Sequence, residues 1–162
     1  MKSRYLMQFR RRREKKTDYK KRLALLKSEK TRLVIRKSLS NITVQFVEFK
    51  PEGDKTIACA FSTELKKLGL KQTGNIPAAY LTGLLAGKKA KEKKIDSAIL
   101  DLGLHTSTKG SRIYAALKGV LDSGINVPHS EDIIPSEDRI SGKHISDETV
   151  NIFDIVKKKI EG

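Results

Sequence analysis

A chain of 162 residues with 38% apolar content and a formal net charge of +15 is long enough to bury one core and too apolar to be disordered throughout. Its single cysteine, Cys59, excludes an internal disulfide and a cysteine-built zinc site. No apolar run reaches the length of a membrane span, and no apolar stretch follows Met1 as a secretory signal would; the expectation is a cytoplasmic protein, intact from Met1.

The charge is unevenly placed. Met1 to Lys37 holds 16 basic and 3 acidic residues (+13), whereas Ser38 to Gly162 holds 18 and 16 (+2). Solubility is better served by dispersed charge, and by acidic charge in particular. Charge packed at one end is the footprint of a polyanion-binding segment. Residues 1–16, with Arg10, Arg11, Arg12, Arg13, Lys15 and Lys16 at their densest part, show no core-forming period. They predict an extended basic RNA-binding arm, disordered when free, followed by a single α/β domain over 17–162.

A short basic helix follows over about 17–27, with the Thr17 hydroxyl as its cap and Tyr19, Leu23 and Leu26 as a narrow apolar stripe. Guanidinium forks such as those of Arg10–Arg13 and Arg22 suit phosphate. Tyr5, Phe9 and Tyr19 lie among the charges and suit stacking on bases or riboses. The stripe is too narrow for a membrane-surface helix, which needs a broad apolar face.

Three strand-like runs come next: Arg32–Ser38, ending in Arg36 and Lys37, then Asn41–Phe49 and Lys55–Phe61. Ile42, Val44 and Phe46 share one face of the second. In the third, Ile57, Cys59 and Phe61 share one face, Ala58 and Ala60 the other. The short connections predict an antiparallel meander. The period then lengthens. "STELKKLG" predicts a short helix capped at Ser62 or Thr63 and stopped at Gly69. "NIPAAYLTGLLAGKKAKEKK" predicts a longer one with Pro77 in its first turn. "IDSAILDLG" predicts a buried strand, and "SRIYAALKGVLDSG" an amphipathic helix ended by Gly124. An irregular acidic segment, with room for one short strand, and a last helix capped at Ser146 complete the chain. A strand–helix–strand connection adds a parallel strand by a right-handed crossover. The fold class is therefore α/β, a mixed sheet of antiparallel meander plus parallel strand with packed helices.

Four motifs bear on chemistry. "GLLAGKK" (Gly83 to Lys89) has neither the glycine spacing nor the Ser or Thr of a phosphate-binding P-loop; Ala79, Gly83 and Gly87 instead mark one close-packing helix face. "GLHTSTKGSR" (Gly103 to Arg112) joins a strand end to a helix start, where ligands of open α/β sheets gather. Its Lys109, Gly110, Ser111 and Arg112, with the N–H groups of the helix start, form a candidate phosphate site. His105 has no nucleophile or partner acid placed by the sequence, so a catalytic base is not supported. Asp96, Asp101, Glu131, Asp132, Glu137 and Asp138 are spread over one strand and one loop, a poor match to the convergent carboxylates of a two-metal nuclease.

Several stretches, "RRRREKKTDYKKRLALLKSEKTRLVIRKS", "IPAAYLTGLLAGKKA" and "ILDLGLHTSTKGSRIYAALKGVLDSGINVPHSEDIIPSEDRISGKHI", together resemble the family of 5S-rRNA-binding ribosomal protein eighteen of the large subunit, archaeal type. The resemblance implies a ribonuclease-H-like sheet without nuclease activity and without metal or cofactor. It also implies a structural role in the central protuberance, binding 5S rRNA and attaching it to the large-subunit rRNA beside ribosomal protein five. By position, Arg10–Arg13, Lys15, Lys16, the Thr17-Asp18-Tyr19 block, Arg36, Lys37 and the Lys109–Arg112 loop are then expected on RNA. Two other readings stand beside it. One is a nuclease on the same kind of sheet, marked by convergent carboxylates and metal dependence. The other is a single-strand RNA-binding module outside the ribosome, marked by indifference to folded 5S rRNA.

Overall fold

The computed structural model describes residues 6–162. Lys2, Arg4 and Tyr5, which the sequence placed in the arm, lie outside the described residues.

The meander forms as its alternation dictates. Arg32–Lys37 (β1), Ile42–Glu48 (β2) and Lys55–Phe61 (β3) pair antiparallel in sequence order, and Ile99–Asp101 (β4) joins β1 in parallel. The sheet order is β3-β2-β1-β4. Leu33 opposes Phe46 and Ile35 opposes Val44, while Val44 opposes Ala60 and Phe46 opposes Ala58. All six are buried on one face, as the period of two requires. Within β3 it is the alanines that face the core. The register slips between Phe46 and Val47, so that Ile57 is the extra residue of a bulge, and Cys59 and Phe61 turn to the other face. Small alanines are what the helices can pack against closely there.

Helix Ile76–Glu92 (α3) starts where Asn75 accepts the Ala78 N–H at 2.9 Å, with Pro77 in its first turn. It is buried nearly all round because the sheet, helix Arg112–Asp122 (α4) and helix Asp147–Glu161 (α6) surround it. A helix apolar on all sides has no other stable place. Small residues let α3 and α4 approach: a Cβ at Gly83 would fall on the Ala116 backbone carbonyl, and one at Gly119 on that of Tyr80. Tyr80 donates its hydroxyl to Asp122 at 2.9 Å and meets the Phe153 ring of α6 at 5.5 Å. The Ser146 hydroxyl caps α6 by accepting the Thr149 N–H, and Phe153, Val156 and Ile160 form its buried stripe.

Elsewhere the local chemistry differs from the sequence expectation. Arg10–Arg13 is not extended but forms one helical turn (α1). Arg10 and Lys16 both pair with Glu14, at 2.7 and 2.8 Å, which relieves the repulsion that favoured an open arm. Helix Tyr19–Leu26 (α2) is capped by Asp18, not Thr17. The carboxylate accepts from both the Lys20 and Lys21 N–H groups, while the Thr17 hydroxyl accepts from Arg11 Nε at 2.9 Å. The "STELKKL" segment is a 3-10 helix over Ser62–Leu68, with Gly69 at φ +110 ending it. Its first turn is held by Glu64, which accepts the Phe61 N–H at 2.9 Å, because the Ser62 hydroxyl is buried accepting the Ile42 N–H. The β4 strand is three residues long, and the short strand expected after it is one parallel bridge, Ser97 to Asn126. The acidic segment carries a single 3-10 turn, Glu131–Ile133, and a short helix, Glu137–Ser141 (α5).

The order of strands leaves β3 at one edge of the sheet. There Lys89 of α3 donates to the Cys59 carbonyl at 3.2 Å and to Glu64 at 2.6 Å.

Candidate nucleic-acid interface

The face of the sheet away from α3 and α4 has a different composition. Alternation along β1 sends Arg32, Val34 and Arg36 to it, and their β2 partners Val47, Gln45 and Thr43 follow. Two arginines on a sheet face require anions, and two aspartates supply them. Asp101, at the end of β4, accepts from Arg32 Nη1 at 3.0 Å and from Arg36 Nη2 at 3.0 Å. Its main-chain carbonyl accepts Arg36 Nη1 at 2.6 Å. Burial pushes the Asp101 carboxyl up, but the Arg36 charge and hydrogen bond, the Gly103 N–H and Arg32 outweigh it and hold the group below the usual aspartate range. Gly103, at φ +59, lies flat against the Arg36 guanidinium, where a Cβ would come within 2.8 Å of Cζ.

Asp54, in the β2–β3 loop, continues the chain of charges. It accepts from Arg32 Nη2 at 2.6 Å and from Arg22 of α2 at 2.8 and 3.0 Å. Charges therefore alternate from α2 across the sheet: Arg22, Asp54, Arg32, Asp101, Arg36. The Arg32 side chain is only 4% exposed, and its Nε has no partner. Beyond Arg36, the Lys37 N–H donates to His105 Nε2 at 3.3 Å. That ring nitrogen must be unprotonated to accept, and burial, with Arg36 and Lys37 nearby, lowers the His105 pKa accordingly.

These elements enclose a groove of about 1140 Å³. Its basic wall is Arg11, Lys16, Lys21 and Arg22; its floor includes Val34, Arg36, Gln45 and Val47; the far wall is Leu104 to Ser107. Basic residues from three separate parts of the sequence thus border one concave surface, with apolar patches between them on which rings can rest.

The residues expected at the interface divide into two sets. Arg11, Lys16, Arg22 and Arg36 line the groove. Arg10, Arg12, Arg13 and Lys15 are exposed on the adjoining turn, and Tyr19 packs at 6.2 Å from Phe9. Lys37 sits at the groove's end, tied to His105. The second set does not join them. Lys109 is exposed, 3.9 Å from Asp132. Gly110 takes a left-handed φ of +67, and its N–H donates to the Ile133 carbonyl at 2.9 Å. The Ser111 N–H donates to the Thr108 carbonyl at 3.2 Å, and its hydroxyl is buried without a partner. The Gly110 and Ser111 N–H groups are thus spent within the protein. Arg112 latches two loops, donating to the Gly74 carbonyl at 2.7 Å and the Leu39 carbonyl at 3.2 Å.

The sequence reading missed Asp54, Arg32 and Lys21. Arg32 and Arg36, four apart in a strand, were the available signal, since they must share a face. Asp101, considered there as a metal ligand, is instead saturated by two guanidinium groups. Among the described residues, no three acidic, histidine or cysteine side chains gather to hold a metal, and no helix is long and apolar enough to cross a membrane.

A family model described as ribosomal large subunit proteins 60S L5 and 50S L18 matches residues 3–98 and 88–130. A large ribosomal subunit protein uL18 from Korarchaeum cryptofilum (strain OPF8) is 62% identical over 144 residues, covering 88% of this chain and 74% of that protein. A large ribosomal subunit protein uL18 from Methanococcus maripaludis is 51% identical over 146 residues, covering 90% and 76%.

Proposed function

The chain belongs to the family of ribosomal large-subunit proteins 60S L5 and 50S L18, in its archaeal form, and from that premise we propose that it grips 5S rRNA in the groove between its N-terminal basic segment and the open face of its sheet. It is a structural protein of the cytoplasmic large ribosomal subunit and not an enzyme.

The observation that carries the finer reading is the convergence of basic residues on one groove. Of the net charge of +15, +13 lies before Ser38. Within that stretch Arg11, Lys16, Lys21, Arg22, Arg32 and Arg36 line one groove, and Lys37 bonds His105 in its wall. Phosphates would meet Arg11, Lys16, Lys21, Arg22 and Arg36, with Arg10, Arg12, Arg13 and Lys15 extending the contact outward. Tyr19 and Phe9 offer rings beside them. Lys109, exposed and outside the groove lining, suits a separate contact with the large-subunit rRNA, and the protein would link the two RNAs in the central protuberance beside ribosomal protein five. The strand order β3-β2-β1-β4, with a further parallel bridge at Ser97 and Asn126, supports a ribonuclease-H-like sheet.

The test is a filter-binding titration with 5S rRNA against an unrelated folded RNA of equal length, together with cosedimentation with large subunits at high salt. Tighter binding to 5S rRNA and retention on the subunit are expected. Equal affinity for both RNAs would overturn the 5S assignment.

A further inference from the structure

The helix that carries Lys20, Lys21 and Arg22 is weakly held in place. None of the α2 residues is buried, Leu23 is 59% exposed, and with only Arg22, Leu25 and Leu26 half-buried apolar packing alone holds the helix weakly. Among the described residues, the hydrogen bonds between Arg22 and Asp54 are the only ones joining residues 6–30 to the rest of the molecule. Asp54 also accepts from Arg32, which reaches Asp101, which holds Arg36. The two basic walls of the groove are thus spaced by two carboxylates.

We infer that Asp54 is a positioning residue for RNA binding, which docks α2 and the basic segment before it at a fixed distance from Arg36. The inference rests on the groove being the RNA site. An acidic residue in a phosphate-binding surface opposes binding through its own charge. It is useful there only if the geometry it imposes outweighs that repulsion. Two cationic walls held at a set separation meet phosphates without further ordering, whereas a loose helix must be immobilised in the complex at an entropic cost.

The sign of the effect separates this role from simple electrostatics. Asp54→Asn raises the net charge by one, so charge alone predicts tighter binding. Positioning predicts binding about tenfold weaker near 0.15 M salt. It also predicts a slope of log K against log salt flatter by about 2 units, as roughly two or three phosphates at about 0.7–0.9 each are lost from the α2 wall. Asp54→Glu, which keeps the carboxylate, should restore most of both.

The experiment is a salt-dependent filter-binding series on wild type, Asp54→Asn and Asp54→Glu, with 5S rRNA and large-subunit rRNA in parallel. Amide exchange on the free proteins reports whether α2 loosens while β1 and β2 stay protected. Undiminished affinity of Asp54→Asn would overturn the inference, as would weaker binding with an unchanged slope. Should Asp54→Asn lose the protection of β1 and β2, Arg22→Gln decides. That variant leaves Arg32 its two carboxylates and removes one charge, worth about 0.9 in slope at most. A larger flattening supports positioning, and a flattening of one unit or less overturns it. If the wild type does not prefer 5S rRNA, the function proposed above fails, while the comparison of variants is still read on the large-subunit rRNA.

Discussion

Gly83 of α3 and Gly119 of α4 are reciprocal notches: each lies where the other helix's backbone passes, Gly83 against the Ala116 carbonyl and Gly119 against the Tyr80 carbonyl. At these two points the helix interface is therefore backbone on backbone, with no side chain that can move aside.

Alanine at either position is expected to destabilise the protein. Helix propensity alone would reward Gly→Ala by up to about 1 kcal/mol, but overpacking against a fixed backbone costs about 1–3 kcal/mol. The second effect wins because helix α3 is also pinned on the sheet. Gly87→Ala is the control. Its Cβ would meet the Ser123 side chain, which can turn away at the cost of its hydrogen bond to the Val120 carbonyl at 2.6 Å. Urea denaturation should rank Gly83→Ala and Gly119→Ala clearly below Gly87→Ala. A gain in stability at Gly83 would mean that the helices have slack.

Removing residues 1–16 should weaken RNA binding without unfolding the domain. The deletion takes away eight basic side chains and one acidic one, and none of the described residues among them is buried. If about half meet phosphates, the slope of log K against log salt flattens by about 3 units. An unchanged slope with the truncated protein would take the segment off the RNA. Loss of the far-UV spectrum would show that it supports the fold.

Asp101→Asn should cost about 3 kcal/mol, the lower end for breaking a buried ion pair, because Asp54 still holds Arg32. The wild-type contribution has a defined pH dependence. A carboxyl held below its ordinary value of 3.8 stabilises the fold fully above that value. The contribution is lost as pH falls through the lower folded-state value. The stability gap between wild type and Asp101→Asn is therefore expected to be constant near neutrality and to close only as pH falls below 3.8. A gap that widens in acid would contradict the assignment.

Lys109 and Arg112 lie three residues apart and should behave differently. Arg112→Gln removes donors from two main-chain carbonyls, which costs about 1–3 kcal/mol of stability, with little change in affinity for 5S rRNA. Lys109→Glu should leave the denaturation midpoint nearly unchanged, since its only described partner is exposed Asp132 at 3.9 Å. Its effect belongs in subunit assembly and should shrink as salt rises. A Lys109→Glu protein that assembles normally at low salt would remove that contact.

Much of the fold is legible from local pattern. The alternation Ile42, Val44, Phe46 and the stripe of α4 each name a buried face, and two short connections order the three meander strands. The groove is less legible because it is made by pairing at a distance. Arg22 meets Asp54 across 32 residues, and Arg32 meets Asp101 across 69. Which carboxylate serves which guanidinium depends on register and on the bulge at Ile57, neither of which is written in composition. The cap of α2 failed for a more local reason. Thr17 and Asp18 can both cap, and the choice fell to the one whose carboxylate takes two N–H groups while the other is occupied by Arg11. The loop at Gly110 is local in a different way: its Gly110 and Ser111 N–H groups bond to Ile133 and Thr108, pairings that no motif spells out.

The lysine at the margin of the sheet has a bearing on how the protein survives outside its assembly. A strand with one free edge offers unpaired main-chain groups to any other extended chain, and such edges are where aggregation begins. In β3 the Cys59 carbonyl is occupied by the Lys89 ammonium, which Glu64 holds in place. A second strand arriving there would have to displace an ion pair and desolvate a charge before gaining a hydrogen bond. The protein thus carries at this edge its own guard against pairing with another extended chain.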